Sequence, residues 1–319
     1  MPIISKDISK AVALLSSEEL VAIPTETVYG LAGNIYSEKA IKSIFETKQR
    51  PFFNPLIVHI PSVGYLDTIV SQIPEKARQL ANAFWPGPLT LVLPKKDTIP
   101  DLITAGKDSV AVRVPSHPVT LELLKQLKFP LAAPSANPFN RISPTTAQHV
   151  EEYFEDKIKM VLDGGPCKKG IESTIIGFEK GNPIIYRLGS IAIEDIEAVV
   201  GKTPIKNKKE QNPDAPGMLG KHYAPSTKTV LSSNILKEIE NYGGMRIGAL
   251  TFQSKINSEA ISSQIVLSEI GDMSQAASNL YDSLHQLDKL DLDIIIAEIF
   301  PNHGLGKSIN DRLQRAAHS

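Results

Sequence analysis

The sequence changes character once, and that change limits what the rest can become. Between Gly201 and Ser226 it reads GKTPIKNKKEQNPDAPGMLGKHYAPS, rich in Pro, Gly and Lys with no sustained apolar period. Such a stretch offers no face to bury, so it reads as a linker between two folding units. The boundaries expected from it are a first domain at 1–203, a linker at 204–226 and a second domain at 227–319. A total of 319 residues suits two domains better than one.

On each side of the linker helices and strands interleave. In the first unit Ile8 to Leu15 has helical spacing and LVAIPT reads as a strand ending at Pro24. Ser37 is a good N-cap for EKAIKSIFETK, whose Ile41, Ile44 and Phe45 form an apolar stripe, and Pro51 stops that helix. The strands PLIVHI, LTLVL, SVAVRV, KMVLD, STIIGF and PIIYRL follow, with helices at PEKARQLANAFW and VTLELLKQL. The spacing lacks the regular β-α-β alternation of a doubly wound sheet, so an α/β domain with a mixed sheet is expected. In the second unit RIGALTF, QIVLS and DIIIAEIF alternate with helices around Ile235, across Ser274 to Leu290 and after Lys307. That pattern predicts a small Rossmann-like α/β domain.

The apolar share of 42% supports buried cores, and no apolar run is long enough to span a bilayer. No basic region followed by an apolar stretch opens the sequence, so no signal peptide is expected. Cys167 is the only cysteine, which excludes an internal disulfide and a thiolate metal cluster and suits a reducing cytoplasm. A net charge of −1 argues against broad, charge-driven coating of nucleic acid.

Several polar groups carry two readings each. Lys48 and Arg50 end a helix, where cations favour the negative dipole end; beside Pro51 they also make a rigid anion clamp suited to phosphate. Both are expected at an exposed helix end. His59 shares a strand face with Ile57, opposite Leu56, Val58 and Ile60, and reads either as a half-buried, hydrogen-bonded histidine or as a ligand. Arg113 shares a face with Ala111; it reads as an edge-strand arginine in water or as a fork for a carboxylate. APSANPFNRISPTT has turn composition, yet it follows the strand end PLAA, where α/β proteins hold ligands. There Ser135 and Asn137 offer neutral donors.

Two near matches to a P-loop fail. GPCKKGIES has Ile171 where the lysine must stand, and GLGKS would need its leading glycine at Pro301. The zinc and nucleophile-elbow motifs HExxH and GxSxG are also absent.

In order along the first 190 residues, IPTETVYGLAGN, KQRPFFNPLIVHI, WPGPLTLVL, VAVRVPSHP, APSANPFNRISPT, DGGPCKKGIESTII and RLGSI closely resemble the YrdC-like threonylcarbamoyl-AMP synthases. APGMLGKHYAP is similar to the linker of the longer, two-domain form, and GLGKSINDRLQRAA to the end of its C-terminal domain. The resemblance implies a YrdC-like twisted mixed-sheet domain followed by a small Rossmann-like one. It implies a cytoplasmic nucleotidyltransferase that makes threonylcarbamoyl-adenylate and pyrophosphate from L-threonine, bicarbonate or CO2 and ATP. Mg²⁺ would arrive with the ATP, its protein ligands unknown. Downstream tRNA threonylcarbamoyltransferase proteins would pass the group to tRNA.

Carried onto this sequence, the resemblance makes Lys48, Arg50, Ser135 and Asn137 the catalytic tetrad. Arg50, Asn54, Ser109, Ser135, Ser143, Arg187 and Tyr223 would contact ATP. Thr27, His59, Arg113, Ala133 and Ser173 would contact threonine. The residue types suit the chemistry, because a carbamate attacking phosphorus needs positioning, cations and exclusion of water rather than a covalent nucleophile.

A different class of function is a non-catalytic RNA-binding module, with Lys168, Lys169 and the lysines at 206, 208 and 209 as its patch and a weak tRNA contact as its milder form. These lysines lack interleaved aromatics for base stacking. A carbamoyltransferase of the hydrogenase-maturation type shares the domain, but its zinc-finger region needs more than one cysteine. The His and Tyr in the linker suggest that residues 213–225 form a lid with Tyr223 on the nucleotide; the plainer reading makes Tyr223 an anchor for the second domain.

Overall fold

The computed structural model describes residues 1–206 and 223–317. Ten strands build the first domain's sheet: β1 (Ile3–Ser5), β2 (Val21–Ile23), β3 (Gly30–Asn34), β4 (Ile57–His59), β5 (Leu89–Pro94), β6 (Ser109–Arg113), β7 (Leu131–Ala132), β8 (Met160–Leu162), β9 (Thr174–Glu179) and β10 (Asn182–Arg187). Their spatial order is β1-β8-β2-β3-β7-β4-β6-β5-β9-β10. Parallel pairs such as β4·β6 and β5·β9 alternate with antiparallel ones such as β4·β7 and β5·β6, so the sheet is mixed, as expected.

Strand β6 lies between β4 and β5. The edge-strand reading of Arg113 therefore fails: its side chain is buried on an interior strand, in register with His59. The helix Glu38–Lys48 forms as its sequence requires. Ser37 accepts from Ala40 N, Ile41, Ile44 and Phe45 are buried, and Gln49 turns left-handed at φ 53° before Pro51. This places Lys48 and Arg50 at the mouth of β4.

The second sheet contains β11 (Lys228–Ser232), β12 (Ile247–Thr251), β13 (Ile261–Val266) and β14 (Ile294–Glu298), all parallel, in the order β11-β14-β12-β13. The helices Met273–Asp288 and Gly306–Ala317 face the first domain. Leu280, Leu284, Ile309 and Leu313 share one apolar cluster with Val28, Ile142 and Ile171. Burying each such side chain contributes about 1.5–3 kcal/mol, so the two units are held by a common core. Gly170 permits a close approach of the two units. It has φ +68°, and a Cβ there would lie 2.2 Å from the Ser278 carbonyl oxygen. The described ends of the linker also pair with the first domain, Ile205 bridging to Ile185 and Ala224 to Arg141.

A stacked histidine pair seals this interface: His149 and His285 have ring centroids 3.9 Å apart. His149 accepts at Nδ1 from Thr145 N and lies 3.4 Å from Asp282, while His285 Nε2 meets the Ser143 carbonyl at 3.3 Å. Burial, then the neighbouring His149, pushes His285 down to about 3; Lys289 and Arg141 add to this, and the Ser143 carbonyl opposes it. Burial likewise lowers His149 against the pull of Asp282 and Glu152. The unfolded chain therefore takes up protons below pH 6.5 that the folded interface refuses. Stability is expected to fall by about 2 kcal/mol between pH 6.5 and 5 for His285 alone. Urea titrations of wild type and His285→Phe should show the slope reduced in the variant.

Candidate functional site

The loops at the ends of β2, β4, β6, β7 and β9 enclose a cavity of about 50 Å³. At one end stands Arg113. Its Nη2 donates to Glu26 Oε1 at 2.6 Å, Nη1 to Thr27 Oγ1 at 3.0 Å and Nε to the Gly87 carbonyl at 3.2 Å. Three of the five guanidinium N–H groups are thereby used, leaving one on each terminal nitrogen, the fork that grips a carboxylate. Glu26 accepts Ser116 N with its other oxygen, so the acid that aims the arginine is itself fixed. His59 lies beside it with Nδ1 unpartnered. Burial, then Arg113, pushes its pKa down to about 3, leaving a neutral ring. Thr25 and Thr27 hydroxyls are 2.8 Å apart, and Ser173 Oγ is 2.8 Å from Thr90 Oγ1. Ala133 completes this end.

The other end is cationic. Arg50 donates to the carbonyls of Asn54 and Pro55, and Arg187 donates from Nε and Nη2 to the Ser173 carbonyl. Lys48 Nζ donates to the Ser135 carbonyl at 2.5 Å and to the Asn137 carbonyl. Lys48 is 1% and Arg50 7% exposed, which corrects the expectation of an exposed helix end. The chain turns inward after Gln49, and the loop 135–139 closes over the lysine, with Phe139 N donating to the Lys48 carbonyl. Burial opposes the charge of both, and Arg50 and Arg187 repel one another. Among the described residues Lys48 and Arg50 have only neutral carbonyl acceptors. A buried cation without a counter-charge is costly, so this arrangement can hold an anion.

The cavity thus brings together Thr27, Arg50, His59, Arg113, Ala133, Ser135, Ser173, Arg187 and Tyr223. Four other expected residues sit just behind it. Lys48 holds the loop carrying Ser135. Asn137 donates to the carbonyls of Pro138 and Arg141 while its Oδ1 has no partner, and the buried Asn54 amide has none on either atom. Ser143 donates to Glu172 at 2.6 Å. Ser109 lies apart. It opens β6, about 13 Å along the strand from Arg113, and lines a second cavity of about 1040 Å³ with Val92 and Tyr186. An apolar cluster of Ile57, Val92, Ala111 and Tyr186 connects the two cavities.

Three contributors have no counterpart among the sequence-based expectations. Glu26 and Glu172 are buried acids within PTET and IEST, and Arg312 reaches Glu172 from 140 residues away. The acid in PTET was visible as a charge between hydroxyls; nothing local marks Arg312. Lys168 and Lys169 are exposed, and Lys206 packs over the Tyr186 ring. The lysines at 208 and 209 and the lid up to residue 222 lie outside the described residues. Tyr223 lines the cavity and also stacks with Tyr281 and Arg312 of the second domain.

The likeness to known proteins runs the length of the chain. The Sua5/YciO/YrdC family profile, described as telomere recombination, matches residues 13–189. The profile of the threonylcarbamoyl-AMP synthase C-terminal domain matches 191–318. The threonylcarbamoyl-AMP synthase of Bacillus subtilis is 41% identical over 97% of this chain and 92% of its own. That of Pyrococcus abyssi is 40% identical over 96% and 93%. The crystal structure of P. abyssi Sua5 complexed with L-threonine superposes with a TM-score of 0.93 at 38% identity, covering 100% of this chain and 98% of that one. Mixed sheet, cationic pocket and appended parallel domain together define a YrdC-like α/β protein of the two-domain kind. More narrowly, the chain belongs to the threonylcarbamoyl-AMP synthase family, a family of enzymes.

Proposed function

We propose that this chain is a nucleotidyltransferase that converts L-threonine, bicarbonate or CO2 and ATP into threonylcarbamoyl-adenylate and pyrophosphate. The observation that carries the reading is the charge arrangement of one pocket: Arg50 and Arg187 line it with the pre-aimed fork of Arg113, and buried Lys48 stands just behind it, Lys48 and Arg50 having only neutral acceptors among the described residues. Threonine's carboxylate takes the fork, and neutral His59, Thr27 and Ser173 hold its amine and hydroxyl. The amine, as free base, bonds to the carbon of CO2 and loses a proton, giving a carbamate. One carbamate oxygen then attacks the α-phosphorus, and the bond to pyrophosphate breaks. Arg50, Arg187 and Lys48 offset the charge that gathers there. The adenosine follows the apolar face of Ile57 and Ala111 toward Ser109.

Among the described residues no three His, Cys, Asp or Glu side chains stand together as a metal cage. Mg²⁺ bound with ATP would take hard oxygen ligands from the phosphates, and it would add positive charge beside Arg50 and Arg187. The product is a mixed anhydride that water destroys, so its consumers are transferases that hand the threonylcarbamoyl group to tRNA. A cytoplasmic setting accords with this, and no described helix is long and apolar enough to cross a membrane.

The test is pyrophosphate release. It is expected only when threonine, bicarbonate and ATP are all present. Tight RNA binding without any threonine-dependent pyrophosphate would favour the RNA-binding module instead. Tyr223→Ala is expected to raise the KM for ATP about tenfold, while Tyr223→Phe, keeping the ring, stays near wild type.

A further inference from the structure

Glu172 poses a problem for any pocket that receives a polyphosphate. It is 5% exposed, lines the cavity, and adjoins Ser173, whose carbonyl anchors Arg187. A carboxylate there repels the nucleotide unless something opposes it. One oxygen accepts Ser143 Oγ at 2.6 Å; the other accepts Tyr281 OH at 2.9 Å and Arg312 Nε at 2.8 Å. Both of the latter residues belong to the second domain. Arg312 is itself fully enclosed. Its remaining nitrogens donate to Asp311 and to the Leu188 carbonyl, both at 2.6 Å, and its guanidinium lies 4.9 Å from the centre of the Tyr223 ring.

We propose that the second domain completes the ATP pocket by supplying the counter-ion of Glu172: Arg312 is a positioning residue that neutralises this carboxylate and holds it, with Ser143, away from the phosphates. The inference rests on the reading of the cavity as an ATP site. It gives the second domain a role in the chemistry that its own sheet, remote from the pocket, does not suggest.

The surroundings support it. The charged and titratable groups around Glu172 are Arg187 from the first domain, Tyr281 from the helix Met273–Asp288, and Arg312 and Arg315 from the last helix; Arg50 and Tyr223 line the same cavity, and Asp311 pairs with Arg312 and Arg315. Burial alone would raise the carboxyl; Arg312 first, then Arg187, and hydrogen bonds from Ser143 and Arg312 overcome it and hold the group down at about 2. Without Arg312 two outcomes follow. At high pH the pocket keeps a bare anion, or at lower pH Glu172 takes a proton and the repulsion disappears.

The experiment uses the full chain and steady-state pyrophosphate release at pH 6 to 9. Arg312→Met is expected to raise the KM for ATP about tenfold or more at pH 9, with kcat less affected, and to recover as pH falls. The double variant Glu172→Gln/Arg312→Met should return the KM to within about threefold of wild type and lose the pH dependence. Arg312→Lys, which keeps the charge but neither the three-way fork nor the stack on Tyr223, should lie between wild type and Arg312→Met in KM and should show no pH-dependent recovery. A purely structural role predicts the reverse: a double variant as impaired as the single one, with no pH-dependent recovery. That result overturns the proposal, as does an unchanged KM in Arg312→Met. If Arg312→Met does not fold, a double variant that folds yet has a KM for ATP raised tenfold overturns it as well. Should wild type itself show no threonine-dependent turnover, the reading of the pocket fails and not merely the role of Arg312.

Discussion

Arg50→Lys is expected to lower kcat/KM for ATP by about a hundredfold or more, the loss typical of removing one preorganised donor to developing charge. Lysine keeps the positive charge but cannot span the carbonyls of Asn54 and Pro55 and still face the cavity, as the guanidinium does. The conservative change matters because Arg50 is buried. Arg50→Ala would leave two carbonyls without donors and cost about 2–3 kcal/mol of stability, mixing folding with chemistry. Circular dichroism and urea midpoints should place Arg50→Lys near wild type while turnover collapses. Normal turnover in the folded variant would remove Arg50 from the phosphate site.

The second large effect is expected at the opposite end of the cavity. Arg113→Lys should raise the KM for threonine about a hundredfold, since an ammonium cannot copy a planar two-bond fork and would leave Glu26 with a poorer partner. ATP binding measured without threonine should change less than about threefold. Equal losses for both substrates would put Arg113 on the wrong one. Glu26→Gln offers a check on the aiming role: it should weaken threonine less than Arg113→Lys does, because the guanidinium keeps its contacts with Thr27 and Gly87.

Much of the fold is legible in the sequence because its strands are apolar and bounded by turn residues. LTLVL and SVAVRV became β5 and β6, and Ser37 capped its helix as its hydroxyl suggests. What escaped notice shows why the rest was not. GLAGN carries two glycines and is assigned no element from its sequence, yet β3 is paired on both sides, by β2 and β7, and Gly33 lets the side chains of Ile44 and Leu20 come close. Its strand character comes from its neighbours. The helix Ala147–Phe154 is also silent, hidden behind a Thr-rich turn in which Thr146 serves as its N-cap.

The candidate site divides similarly. Arg113 and His59 stand out by strand alternation, which leaves each with two readings; their meeting with Thr27 at one place is legible only through the family resemblance. The burial of Lys48 and Arg50 is not legible, since it depends on the loop 135–139 folding back over a helix end nearly a hundred residues earlier. Glu172 and Arg312 are beyond local reading altogether, since neither makes sense until two domains meet.

The central claim is that one pocket joins threonine, one-carbon acid and nucleotide in a single product. Carbon-labelled bicarbonate and tritiated threonine, supplied together with ATP, test it most directly. The expected product carries both labels in fixed one-to-one ratio on a species that also contains AMP, with an equal amount of pyrophosphate released. An AMP ester of threonine lacking the bicarbonate carbon, or cleavage of ATP to ADP and phosphate, would contradict it.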